Sequence, residues 1–143
     1  MSRIRSLPFL FILLLVIGSV STAFSAAKTF HANGKLESET SYNQKTKEKE
    51  EARWYDKSGL LQAEEKFTGE NSKVVTFFNE KGQKNIEETI VAGKRLRVRS
   101  FHPNGNVKID YTLKEEKLDG KYREYREDGK IAKEIDYKDG KEI

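Results

Sequence analysis

The chain contains no cysteine. Disulfides, thiolate metal sites and cysteine nucleophiles are therefore excluded, and so is a lipid anchor of the bacterial lipoprotein kind. Histidine is nearly as scarce, with His31 and His102 the two present. No Gly-x-Ser-x-Gly nucleophile signature stands anywhere in the chain. The longest apolar run, Leu7 to Val20, is 14 residues. A membrane-spanning helix needs about 20. No block of like charge appears either: 27 Lys and Arg and 23 Asp and Glu are interspersed, which argues against nucleic acid as a partner, since that calls for a clustered basic face. No catalytic residue, cofactor or metal site is expected.

What the first 27 residues contain is a leader. Arg3 and Arg5 precede the apolar run, and small residues close it at Ala23-Phe24-Ser25-Ala26-Ala27. That order of basic, apolar and small residues marks a secretory signal peptide, with cleavage suited after Ser25 or after Ala27. The expected product is exported, periplasmic or extracellular, and bacterial. Removing the leader's two arginines from 27 leaves 25 cations against 23 acids, so much of the basic balance belongs to the leader. Residues 28–143 then form one small domain.

That domain is periodic. An aromatic residue followed four positions later by glycine occurs five times: Phe30 with Gly34, Tyr55 with Gly59, Phe78 with Gly82, Phe101 with Gly105, and Tyr125 with Gly129. The aromatics are 25, 23, 23 and 24 residues apart. Repetition at near-constant spacing is the signature of repeat architecture. These ten residues are expected to be the structural anchors of the repeat. Within each copy apolar residues fall on alternate positions, ending twelve after the aromatic at Tyr42, Phe67, Ile90, Leu113 and Tyr137. A period of two is a half-buried strand. Asn-Gly at 33–34 and 104–105, and Asp-Gly at 119–120, 128–129 and 139–140, are tight-turn signals because they tolerate positive φ. The aromatic anchor breaks the alternation by one residue, which predicts a bulge or a turn position there. The expectation is an all-β antiparallel meander of about five repeated hairpins, nine or ten strands in a single long sheet. Its aromatic and branched residues would line up in one continuous row.

The polar positions recur as well. Nine residues after each anchor stands an acid: Glu39, Glu64, Glu87, Asp110 and Glu134. Two before four of the anchors stand Arg53, Thr76, Arg99 and Arg123. In a meander these fall on neighbouring strands and predict cross-strand ion pairs on a solvated face. A carboxylate row that binds a cation or basic partner is the alternative, although it lacks the compact loop of a calcium site. His31 and His102, about three repeats apart, read as exposed turn residues. Trp54 is expected in packing, with partner contact as its alternative. Tyr122 and Tyr137 face the same choice. The last copy reaches Lys141-Glu142-Ile143 where its second strand would begin, so that edge or the sheet face beside it is expected to receive a partner.

Two segments carry a family likeness: Phe101-His-Pro-Asn-Gly105-Asn-Val107, and Tyr125-Arg-Glu-Asp-Gly129-Lys-Ile131 with Tyr137-Lys-Asp-Gly140-Lys141. The chain resembles the variant MORN repeat of bacterial proteins often labelled YwqK-type antitoxins. The resemblance implies β-hairpin repeats that serve as binding or scaffolding surfaces toward protein or lipid. The antitoxin label implies a cytoplasmic toxin as partner, which an exported chain would not meet; an immunity role against an exported toxin is the form of that reading compatible with the leader. The expectation is therefore a non-catalytic interaction or scaffolding module at the cell envelope. Its partner would be another protein, or secondarily a membrane surface. An antitoxin or immunity protein is the alternative, and a secreted hydrolase stands third because glycoside hydrolysis needs a cleft to hold its carboxylates.

Overall fold

The computed structural model describes residues 25–143. The rest of the expected leader, residues 1–24, lies outside the described residues. Eleven strands form one open sheet in strict sequence order: β1 Ser25–Phe30, β2 Leu36–Tyr42, β3 Lys49–Tyr55, β4 Leu61–Gly69, β5 Ser72–Phe78, β6 Lys84–Val91, β7 Lys94–Phe101, β8 Val107–Lys114, β9 Lys117–Tyr125, β10 Ile131–Lys138 and β11 Lys141–Glu142. The expected meander is present, with more strands than nine or ten because β11 adds a two-residue strand. At the other end, Ser25–Ala27, which the sequence assigned to the leader, pair with Tyr42–Thr40 as the start of β1.

The five anchors build five copies of one turn. In each, the glycine N–H donates to the carbonyl three residues back, as Gly105 does to His102 at 2.9 Å, and the residue after the anchor closes the loop, as His102 N does to Asn106 O at 2.8 Å. The glycines Gly34, Gly59, Gly82, Gly105 and Gly129 have φ of 81°, 91°, 72°, 87° and 81°. This is a type I turn ending in a left-handed residue. All five glycines are exposed. A Cβ built on Gly34, Gly105 or Gly129 would meet nothing within 4 Å, and on Gly59 or Gly82 nothing closer than 3.5 Å. Their anchoring is therefore conformational: the positive φ demands glycine, and no packing contact does. In the Asn-Gly pairs only the glycine takes positive φ. The predicted irregularity follows directly: pairing slips by one residue beside every anchor, at Thr29/Phe30, Trp54/Tyr55, Phe77/Phe78 and Ser100/Phe101, and opposite Tyr125 between Ile131 and Lys133.

The opposite ends of the hairpins differ from one another. Ala92-Gly93 and Asp139-Gly140 are paired positive-φ residues, as a two-residue hairpin turn requires. Between β8 and β9 the same conformation is forced on Glu115 (φ 49°) and Glu116 (φ 61°). Asp119-Gly120, expected as that turn, lies inside β9 instead. There three residues, Asp119 to Lys121, oppose Thr112 alone. A Cβ on Gly120 would stand 2.6 Å from Thr112 Oγ1, so this glycine marks a close approach within a strand.

Successive residues of a strand point to opposite faces. Ala52, Val75 and Val98, the three buried apolar residues, fall on one face. Trp54, Ala63, Phe77 and Ile86, consecutive partners across β3 to β6, share that apolar face. The aromatic anchors do not. Tyr55 Oη donates to Glu39 at 2.9 Å, and Lys84 lies 4.9 Å from the centre of the Phe101 ring while also binding Glu87. The apolar residues are thus divided between two faces, not gathered in one row, because alternation places neighbours such as Phe77 and Phe78 on opposite sides of the sheet.

Candidate functional site

The polar face carries a single row of register partners, one residue from each of the first ten strands. Lys28, Glu39, Arg53, Glu64, Thr76, Glu87, Arg99, Asp110, Arg123 and Glu134 stand successively opposite one another. Antiparallel partners lie about 4.5–5.5 Å apart, so acids and cations alternate within reach of each other. Arg53 Nε donates to Glu64 at 3.0 Å, and its Nη2 approaches Glu51 at 2.7 Å. Arg97, one row away, grips Asp110 through two nitrogens at 2.8 and 2.5 Å. Arg123 donates to Glu134 at 2.6 Å. Arg99 binds Glu87.

Thr76 interrupts the alternation. It stands where β3, β7 and β9 supply arginine, between Glu64 and Glu87. Each of those acids takes a lysine from its own strand instead: Lys66 at 3.1 Å from Glu64 and Lys84 at 2.9 Å from Glu87.

The middle of the row is less solvated than the sequence suggested, while its ends are exposed. Thr76, Glu87 and Asp110 are buried, because the long arginine and lysine stems lie over their neighbours. Burial by itself would raise the Glu87 carboxyl, but Lys84 and Arg99 outweigh it and hold it below the ordinary value. Glu64 behaves in the same way, with burial opposed by Arg53 and Lys66. Glu39 is lowered chiefly by the Tyr55 hydroxyl, and Glu134 by Lys121 and Arg123. Glu51 goes the other way, raised by burial and by the adjacent Glu64. Four row carboxylates are thus held ionised.

His31 and His102 have a role that sequence reasoning missed. They are not loose turn residues. His31 Nε2 donates to the Tyr55 carbonyl at 2.9 Å and His102 Nε2 to the Tyr125 carbonyl at 2.8 Å. Asn33 donates to Lys57 O, Asn104 to Glu127 O, and Gln83 to Pro103 O. Each of these turns donates to the next turn along the chain. The equal position of both histidines within their copies was the available signal. Gly34, Gly59 and Gly82, like Gly105 and Gly129, shape those turns through their positive φ. Among the described residues, no group of three or more His, Asp or Glu is placed to hold a metal.

The three aromatic contact candidates separate. Tyr122 packs between Tyr111 (centroids 6.0 Å, stacked) and Tyr137 (6.2 Å, edge-on). Trp54 lies six strands away on β3. It is 39% exposed, and Phe77, its near neighbour across Ala63, is 41% exposed.

A single open sheet of turn-locked hairpins, with a charge row on one face and exposed aromatics on the other, defines a β-repeat protein. Residues 26–44 and 118–139 match the family described as the MORN repeat variant. No curated protein matches the sequence. Among solved structures the chain is similar to TarM, at 18% identity and a TM-score of 0.52, over 66% of this chain and 19% of that one. A second similar structure is a point mutant of S. aureus TarM in complex with fondaparinux, α-GlcNAc-glycerol and UDP. Its identity is 14% and its TM-score 0.52, over 82% of this chain and 21% of that one. The chain thus spans about a fifth of the length of these proteins. Likeness at such identity concerns the fold alone.

Proposed function

We propose that this is an exported, non-catalytic repeat protein that binds another protein through the apolar face of its sheet, as an interaction or scaffolding module at the cell envelope. The observation that carries the reading is the exposed pair Trp54 and Phe77 flanking Ala63. Aromatic side chains left part-exposed on a rigid sheet are suited to partner burial. The repeat match supports a binding role over chemistry. So does the polar face, where the row carboxylates are held by cations instead of being poised to transfer protons.

The test is affinity capture from a cell-envelope fraction with the wild-type protein and with Trp54→Ser/Phe77→Ser. Partners retained by the first and lost by the second are expected. A partner set indifferent to both substitutions would overturn the surface assignment, and turnover of a glycan substrate would overturn the non-catalytic reading. Export is checked by the mass of the extracytoplasmic protein, expected to begin at Ala26 or Lys28. Rescue of toxin-expressing cells would promote the immunity reading, which rests on the family resemblance.

A further inference from the structure

We infer that copies of this protein join head to tail, the β1 edge of one copy adding to the β10 edge of another so that the sheet and its charge row run on across the junction. Three independent matches carry this.

The first is charge. The row ends at Lys28 on β1 and at Glu134 on β10, which the two-residue β11 borders only at Tyr137 and Lys138. The side chain of Glu134 is 36% exposed and that of Glu39 24%, against 9% for Glu87 in the middle. Exposure is greatest at Glu134, beside which a flanking strand is missing. Glu134 is flanked by the cations of one strand alone, whereas Glu39 has Lys28 on β1 and Arg53 on β3, and Asp110 has Arg99 on β7 and Arg123 on β9. Lys28 of a second copy would supply the missing flank.

The second match is apolar. Lys84, six residues after its anchor, lies against Phe101, the anchor of the next copy of the repeat. The equivalent residue in the last copy is Ile131, and the anchor that would come next is Phe30 of a second molecule. These two are 50% and 59% exposed, whereas Tyr55, Phe78, Phe101 and Tyr125 are half-buried.

The third is direction and register. Strands alternate in direction, so β1 runs antiparallel to β10 when the alternation is continued. Inside the sheet each acid faces a cation and the residue before the acid faces the residue before an anchor, as Asp110 faces Arg123 and Ile109 faces Glu124. Applied to the junction, Glu134 faces Lys28 and Lys133 faces Thr29. β11 and Ile143 engage Asp136 to Lys138 on the far half of β10, so Lys133 and Glu134 stay open to the cleaved chain that begins at Lys28, a start that rests on the proposed export. Like edges do not fit: β1 on β1 in this register sets Lys28 against Lys28, and β10 on β10 sets Glu134 against Glu134, which is unfavourable. The contact is heterologous and therefore extends instead of closing at a dimer.

The absence of native cysteine makes the test clean. Thr29 and Lys133 would stand as an antiparallel pair, within disulfide reach. Purified protein carrying both Thr29→Cys and Lys133→Cys should oxidise to a ladder of dimers, trimers and larger species. Each single variant alone should give no cross-link, and an equimolar mixture of the two should give dimer only. Adding Lys28→Glu to the double variant should lower the cross-linked yield about tenfold, and adding Glu134→Lys as well should restore it. A double variant that stays monomeric, a single variant that dimerises with itself, or a yield indifferent to Lys28→Glu would each overturn the inference. Because the edges are distinct from the Trp54 face, Trp54→Ser/Phe77→Ser should leave the ladder intact.

Discussion

Glu87 and Arg99 face each other across β6 and β7, bonded side chain to side chain, and the Glu87 carboxylate that Arg99 neutralises is buried although the described residues form one sheet with no second layer. The charge row therefore performs part of the covering work that a second layer does in thicker folds. Its middle contributes more than its ends, because desolvated partners cannot be replaced by water.

Removing Arg99 should show this. Arg99→Ala leaves Glu87 buried with Lys84 alone and is expected to cost about 2–3 kcal/mol. Arg123→Ala, whose partner Glu134 is open to solvent and also held by Lys121, should cost far less, because water and Lys121 take over the contact. Urea unfolding with unchanged m-values measures both. Equal costs would mean that burial does not grade the row.

The gap at Thr76 gives a second prediction. Lys84 substitutes for the missing arginine, so Lys84→Met should destabilise the wild-type protein more than it destabilises a Thr76→Arg background. The double-mutant cycle is expected to show about 0.5–1 kcal/mol of coupling. A coupling within error of zero would show that Lys84 serves Phe101 and not the row.

The turn at Glu115-Glu116 holds two non-glycine residues in the left-handed region. Asparagine tolerates that region better than glutamate. Glu115→Asn keeps the Arg95–Glu116 contact at 2.5 Å and is expected to stabilise by about 0.5 kcal/mol, seen as a rise in the melting temperature. Glu115→Val, β-branched at positive φ, should lower it.

Acid should weaken the fold. Glu39, Glu64, Glu87 and Glu134 are held below the ordinary glutamate pKa of 4.5. A depressed carboxylate contributes stability that is fully present above its unfolded pKa and is lost as pH falls through the native one. Stability should therefore hold from neutral pH to about 5 and fall progressively below about 4.5. Glu51, raised, acts in the opposite sense over the same window and blunts the onset. Thermal unfolding between about pH 3 and 7 measures the profile, and a melting temperature flat across that range would refute it.

The anchors, their glycines and the acid nine residues on were sufficient to read the all-β meander, the slip beside each anchor and the partnership of Glu39, Glu64, Glu87 and Glu134 with Arg53, Arg99 and Arg123, whereas Asp110 bonds Arg97, outside that pattern. All of these are local or nearest-neighbour consequences of a period of two and a fixed turn, and such consequences repeat wherever the motif repeats. Distance from the chain's own periodicity marks where reading failed. Asp119-Gly120 looked like a turn, but the hairpin reversed earlier, at Glu115-Glu116, because the neighbouring strand sets where β9 starts. The turn-to-turn bonds of His31 and His102 depend on which turn lies beside which. The burial of Glu87, the division of aromatics between faces and the exposure of Phe30 and Ile131 depend on how many strands flank each residue. Sequence by itself determined the repeating unit. Only the assembled sheet decided which copies are interior and which are edges, because burial is set by neighbours in space.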